Sequence, residues 1–146
     1  FKLLYYVDFD HFESHKASVT GDIYRKLDFG PVPMNAERIL TEMQKDGLIS
    51  ITPVISGTYI RYVFTALAKP TINDFSPSEI TVLNEVEQKW AHHSREDIVT
   101  ATHGEAPWKA VKWGAEIPYT LAFYRHGIDQ ADLERDEEPK SASSPL

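Results

Sequence analysis

Apolar residues run almost without a break at the start of the chain. Leu3, Leu4, Tyr6, Val7, Phe9 and Phe12 are interrupted only by Asp8, Asp10 and His11. That density predicts a helix over 3–12 buried on several sides. Ser18, Thr20, Gly21 and Asp22 then cluster as a turn. Tyr24–Pro33 (YRKLDFGPVP) reads as the least regular stretch of the body, because Gly30, Pro31 and Pro33 exclude a helix interior. Asn35 is placed to cap a new helix. Ala36, Ile39, Leu40 and Met43 recur at helical spacing, with Glu37, Arg38, Glu42 and Lys45 turned away and Gly47 at the stop. Ile49, Ile51, Val54 and Ile55 lead into Ser56-Gly57, and Tyr59–Phe64 return. This is a hairpin pattern, and Pro53 marks its first strand as an edge.

The second half starts cleanly. Ser76, Pro77 and Glu79 form a capping box with proline at the first helical position, and Ile80, Leu83, Val86 and Trp90 supply the buried side. Ser94 and Asp97 repeat the start signal, and Thr102-His103-Gly104 ends that helix. Pro107-Trp108 opens a short turn or helix to Val111, and Pro118 a last one to Tyr124. The pattern predicts an α+β fold, predominantly helical. It has about five or six helices around a buried N-terminal helix, plus one β-hairpin.

Composition narrows the function. The 146 residues suit one domain, which we place at 1–128. No cysteine is present, which excludes disulfides, a thiol nucleophile and cysteine-bound zinc or iron. No apolar run is long enough to span a bilayer, so a membrane partner is not expected and a cytoplasmic location is. Net charge is −7, with six acids and two bases in the Ser/Pro-rich segment 129–146, which reads as a disordered tail. The body up to 128 holds 16 acids and 13 bases, too little positive charge to favour a nucleic-acid backbone. The chain opens inside a helical pattern without methionine, which suggests N-terminal truncation.

Catalytic and metal patterns are sparse. The chain has no HExxH, Gly-x-Ser-x-Gly, P-loop or GxGxxG. His11 and His15 share a helix face, but with no further ligand at metal spacing they read as surface or hydrogen-bonded histidines. Asp8 and Asp10 would point about 200° apart on a helix, so the expectation is one carboxylate bonded to the following loop and one solvated. No cofactor and no metal are expected, and the chain reads as non-enzymatic. A weaker third reading is a hydrolase or transferase around His103, Glu105 and Asp8. Two segments instead suit recognition: Thr20-Gly21-Asp22-x-Tyr24-x-Lys26 with Gly30-Pro31-Val32-Pro33, and Thr102-His103-x-x-x-Pro107-Trp108. Each sets polar and aromatic side chains on stiff backbone. The partner-binding candidates are Thr20, Asp22, Tyr24, Lys26, Pro31, Pro33, His103, Pro107 and Trp108. The competing expectation is that Tyr24 and Trp108 simply plug the core.

KLLYYVDFDHF, TGDIYRKLDFGPVP, the following helix and THGEAPWKAV, in that order, resemble the SocA-like antitoxin domain of bacteria and phages, also called the Panacea domain. The likeness runs from Phe1 to about Tyr124. It implies a non-enzymatic antitoxin that neutralises a cognate protein toxin by direct contact. It further implies, through the family's founding member, delivery of the toxin to a ClpXP-type protease. Some relatives carry an N-terminal helix-turn-helix region. The family pattern falls here on Thr20, Gly21, Tyr24, Lys26, Gly30, Pro31, Pro33, His103, Pro107 and Trp108. The alternative is a transcriptional regulator that uses helix 35–46 and hairpin 49–66 as a winged helix.

Overall fold

A computed structural model describes residues 1–126; the boundary at 128 and the tail 129–146 lie outside the described residues. Helix α1 spans Lys2–His15 and is the hub. Tyr5, Tyr6, Val7 and Phe9 are buried on it, and Tyr24, Val82, Val86, Trp90, Ile117 and Ala122 close around them. The near-continuous apolar run is thus buried on more than one side, as its pattern requires. Aromatic rings set the packing: Phe9 meets Tyr5, Tyr24 and Tyr119 with centroids 4.4–5.6 Å apart, and such pairs add stability beyond area burial.

Two antiparallel hairpins are present among the described residues, where the pattern foretold one. The first joins β1 (Tyr24–Leu27) to β2 (Gly30–Pro33) in the stretch that read as irregular. Its prolines are compatible with pairing for a geometric reason. Opposed residues alternate between pairs that exchange both ladder bonds and pairs that exchange none. Met34 N–H donates to Ile23 O at 2.9 Å. Counting from there, Pro33 opposite Tyr24 and Pro31 opposite Lys26 fall at non-bonded positions, where a missing N–H removes nothing from the ladder. The other edge of β1 is covered: Lys26 N–H donates to Ala115 O, and Gly114 and Ile117 N–H donate to Lys26 and Tyr24 O.

Helix α2 (Ala36–Lys45) follows. Asn35 does not cap it with its side chain, contrary to the sequence reading. Its amide donates instead to Asp22 Oδ1 at 3.0 Å. Strands β3 (Ile49–Ser56) and β4 (Tyr59–Ala66) form the second hairpin, turning on Gly57 at φ 63°. Helix α3 (Pro77–Trp90) and helix α4 (Arg95–Gly104) begin with complete capping boxes at Ser76/Glu79 and Ser94/Asp97. The buried side of α3 is Val82, Val86 and Trp90, with Leu83 packed beside them; Ile80 is only half-buried. Short helix α5 (Ala106–Lys109) and a 3₁₀ helix (Tyr119–Tyr124) complete the body. The fold is therefore mixed α+β, with six helical segments among the described residues, and no described helix is long and apolar enough to cross a membrane.

Candidate protein-binding surface

The sequence candidates assemble into two clusters, both bound to the first hairpin. In one, fully buried Asp8 on α1 gathers the loop after the helix. Its Oδ1 accepts the N–H groups of Val19 and Thr20 at 2.9 and 2.7 Å. Its Oδ2 accepts the Thr20 hydroxyl at 2.5 Å and the Tyr24 phenol at 2.6 Å. Burial, and then the adjacent Asp8 carboxylate, push the Tyr24 phenol well above its ordinary pKa. Asp22 continues the lock: it accepts from Asn35, and its carbonyl accepts the Tyr119 hydroxyl at 2.5 Å. Asp10, the acid expected to be solvated, is partly exposed but ion-paired. Together with Glu13 it grips Arg125 of the 3₁₀ helix, Oδ1 at 2.5 Å and Oε2 at 2.6 Å. Burial alone would lower the Arg125 pKa, but the two carboxylates outweigh it and hold the guanidinium charged.

The second cluster joins segments more than eighty residues apart. The Lys26 ammonium lies 4.0 Å from the Trp108 ring centroid, and His103 stacks on Trp108 at 4.0 Å. Trp108 Nε1–H donates to Leu27 O at 3.2 Å, and Lys26 Nζ to Val111 O at 3.1 Å. These contacts fasten α4 and α5 to β1. Gly30 is required at this junction. It has φ 109°, and a Cβ there would stand 2.7 Å from Thr102 Oγ1.

Placement separates the candidates. Tyr24, Pro31, Pro33 and Pro107 are buried; Asp22, Lys26, His103 and Trp108 are half-buried; Thr20 is exposed. The buried four can shape a surface but do not form its outer atoms. The enzyme reading finds no constellation either. Asp8 is spent on Thr20 and Tyr24, Glu105 accepts the Tyr5 hydroxyl at 2.7 Å, and His103 is held by stacking, its buried Nε2 without a hydrogen-bond partner. A general base needs a polar group to orient it. Among the described residues no group of His, Asp and Glu has metal-binding geometry. His11 bridges Ala17 O and Ser78 Oγ.

Sequence reasoning passed over the most exposed apolar surface. Opposed residues of an antiparallel pair share a face. One face of the second hairpin therefore carries Ile49, Ile51, Pro53 and Ile55 beside Ile60, Tyr62, Phe64 and Ala66, all uncharged. Its opposite face is mixed, with Ser50, Thr52, Ser56, Arg61 and Thr65 beside Val54, Tyr59 and Val63. The apolar face is largely uncovered: Ile55 is 83% exposed and Tyr62 58%. At its base Phe64 joins Ile39, Leu40 and Met43 of α2 and Phe1 and Leu4 of α1 around a groove of about 400 Å³. The helical stripe on α2 is therefore groove wall rather than core; only Ala36 is buried. The signal was available as alternation along Ile49–Ile55 and Ile60–Ala66, broken only by Val54 and Val63, read in one register.

Residues 1–109 match the family model described as Antitoxin SocA-like, Panacea domain. The chain belongs to that family, and the resemblance of its opening, central and closing motifs is thereby established. Neither a curated protein nor a solved structure matches the chain.

Proposed function

We propose that this protein is an antitoxin that neutralises a cognate toxin by direct protein–protein binding, with the second hairpin and its groove as the contact surface. The observation that carries this reading is the apolar face of that hairpin. A contiguous apolar patch of this kind, edged by polar residues, marks an interaction site. Aromatic and aliphatic side chains on it supply the anchors that dominate protein interfaces. In this reading the stack of Lys26, His103 and Trp108 and the buried Tyr24, Pro31, Pro33 and Pro107 hold the body behind that surface together. Net charge of −7 would steer a basic toxin during encounter. A cytoplasmic place of action follows from this reading.

Co-expression with the product of the adjacent open reading frame tests it. Rescue of growth and co-purification are expected; failure of both sinks the reading. Toxin half-life in the presence of the antitoxin separates plain neutralisation, with unchanged turnover, from delivery to a ClpXP-type protease, with accelerated turnover. The winged-helix alternative draws on the order of α2 and the second hairpin. The outward face of α2 argues against it, because Arg38 is paired to Glu42 at 2.8 Å instead of being free for phosphate.

A further inference from the structure

The register of the second hairpin decides which backbone groups face outward. Leu67 N–H donates to Leu48 O at 2.9 Å. Counting from that bonded pair, Arg61 and Val63 exchange bonds with Val54 and Thr52, whereas Ile60, Tyr62 and Phe64 turn their N–H and C=O groups away from the ladder. Among the described residues no other segment bonds to those outward groups. On β3 the outward set includes Pro53, opposite Tyr62, which has no N–H to offer. The β4 edge has no proline and no lysine. Arg61 is its one charged residue, so of the devices by which exposed edges refuse a further strand it keeps a single charge and no proline.

Beside the outer half of that edge lies a cleft of about 860 Å³, bounded by Tyr59, Ile60, Arg61 and Tyr62 on one side and Arg95 and Glu96 on the other. Strands pair about 4.8 Å apart, so a strand added to β4 would lie in this cleft. Arg61 and Arg95 form no salt bridge among the described residues. Arg95 lies over the Phe29 ring, 4.9 Å to the centroid, which leaves its charge uncompensated; two guanidinium groups against the one carboxylate of Glu96 make the cleft locally positive in a protein that is otherwise acidic.

We propose that the toxin docks by strand addition: an extended toxin segment enters this cleft as a third strand on β4, alternate side chains apolar, with a carboxylate side chain meeting Arg61 and Arg95. Main-chain bonds to Ile60 and Tyr62 supply affinity, and the apolar face selects the alternating side chains. This inference rests on the toxin reading above.

The register provides a matched test. Ile55 and Ile60 stand opposite each other at a non-bonded position, so proline at either leaves the ladder bonds intact. Ile60→Pro blocks the β4 edge; Ile55→Pro blocks the β3 edge and removes the same side-chain type. Because both side chains lie on the contact face, each proline is compared with alanine at the same position. Titration calorimetry against the adjacent-frame product should show about a tenfold further loss of affinity for Ile60→Pro over Ile60→Ala, and about twofold or less for Ile55→Pro over Ile55→Ala. The double variant Arg61→Glu, Arg95→Glu, which leaves the backbone untouched, should also lose about tenfold and flatten the salt dependence of association. Equal losses beyond alanine at the two positions, or none at either while wild type binds, would overturn strand addition and leave the toxin reading standing. A wild-type dimer in light scattering that Ile60→Pro converts to monomer would assign the edge to a second copy and overturn it too. No binding by wild type would remove the toxin reading first.

Discussion

The two hairpins share a design and differ in what covers them. Both are antiparallel, both turn on two residues, and both carry proline at non-bonded positions. The first has Pro31 and Pro33 on one strand, and its other edge is capped by Gly114–Ile117. Its residues tie α1, α4, α5 and the 3₁₀ helix together through Asp8, Trp108 and Tyr119. The second stands away from the body, touching mainly α2, with every residue of β4 exposed. Sheets pair their edges when they can. A closed hairpin is therefore a fold element, and an open one with an apolar face is a surface awaiting a partner. The motif residues that look most informative in the sequence fall on the closed hairpin, on the loop before it, or on the α4–α5 segment fastened to it.

Substitutions should separate the two sharply. The largest effect is expected at the Asp8 lock. Asp8→Ala strands two backbone amides and the Tyr24 phenol inside the protein, and should cost about 3 kcal/mol or more in denaturant unfolding. A loss below about 1 kcal/mol would mean that the lock is not structural. Gly30→Ala follows, at about 2 kcal/mol, because its Cβ meets Thr102 in a conformation that disfavours any side chain.

Alkaline pH probes the same half of the molecule. Burial first, and the nearby carboxylates Glu105 and Asp8 second, raise the pKa values of Tyr5, Tyr6 and Tyr24, and that of Tyr119 is pushed up to about 12 by burial and Asp8. A group with a raised folded pKa contributes stability that is complete below its unfolded value and is lost as pH rises toward the folded one. These tyrosines should thus leave stability unchanged up to about pH 10. Above it stability should fall by about 1.4 kcal/mol per pH unit per tyrosine. Thermal melts followed with phenolate absorbance check this, and Tyr24→Phe should shallow the slope.

On the open hairpin the smallest stability effect is expected. Ile55→Ser, Tyr62→Ser or their combination should change unfolding free energy by about 0.5 kcal/mol or less, while pull-down of the adjacent-frame product is lost. A strongly destabilised Tyr62→Ser would show that this hairpin is a fold element after all.

Much of the fold was legible because local signals agreed. The capping boxes at Ser76 and Ser94 and the dense run of α1 specify their helices without tertiary help. The first hairpin was not legible, because two prolines in four residues contradict strand propensity unless their pairing phase is known. That phase depends on Ile23 and Met34 meeting across the turn. The candidate residues were recognisable as unusual but not as inward-facing: Tyr24 looks like a partner anchor until Asp8, sixteen residues earlier, is seen to accept its hydroxyl. Conversely, Ile39, Leu40 and Met43 read as a core stripe, and only the position of the second hairpin makes them a groove wall.

Amide hydrogen exchange, with and without the adjacent-frame product, compares the two hairpins within one sample. In the free protein, Ile60, Tyr62 and Phe64 should exchange rapidly while Lys26, bonded to Ala115, is protected. On complex formation protection should rise at Ile60 and Tyr62 and remain unchanged at Lys26. New protection around Thr20–Pro33 with none on β4 would contradict the account and move the binding surface to the first hairpin.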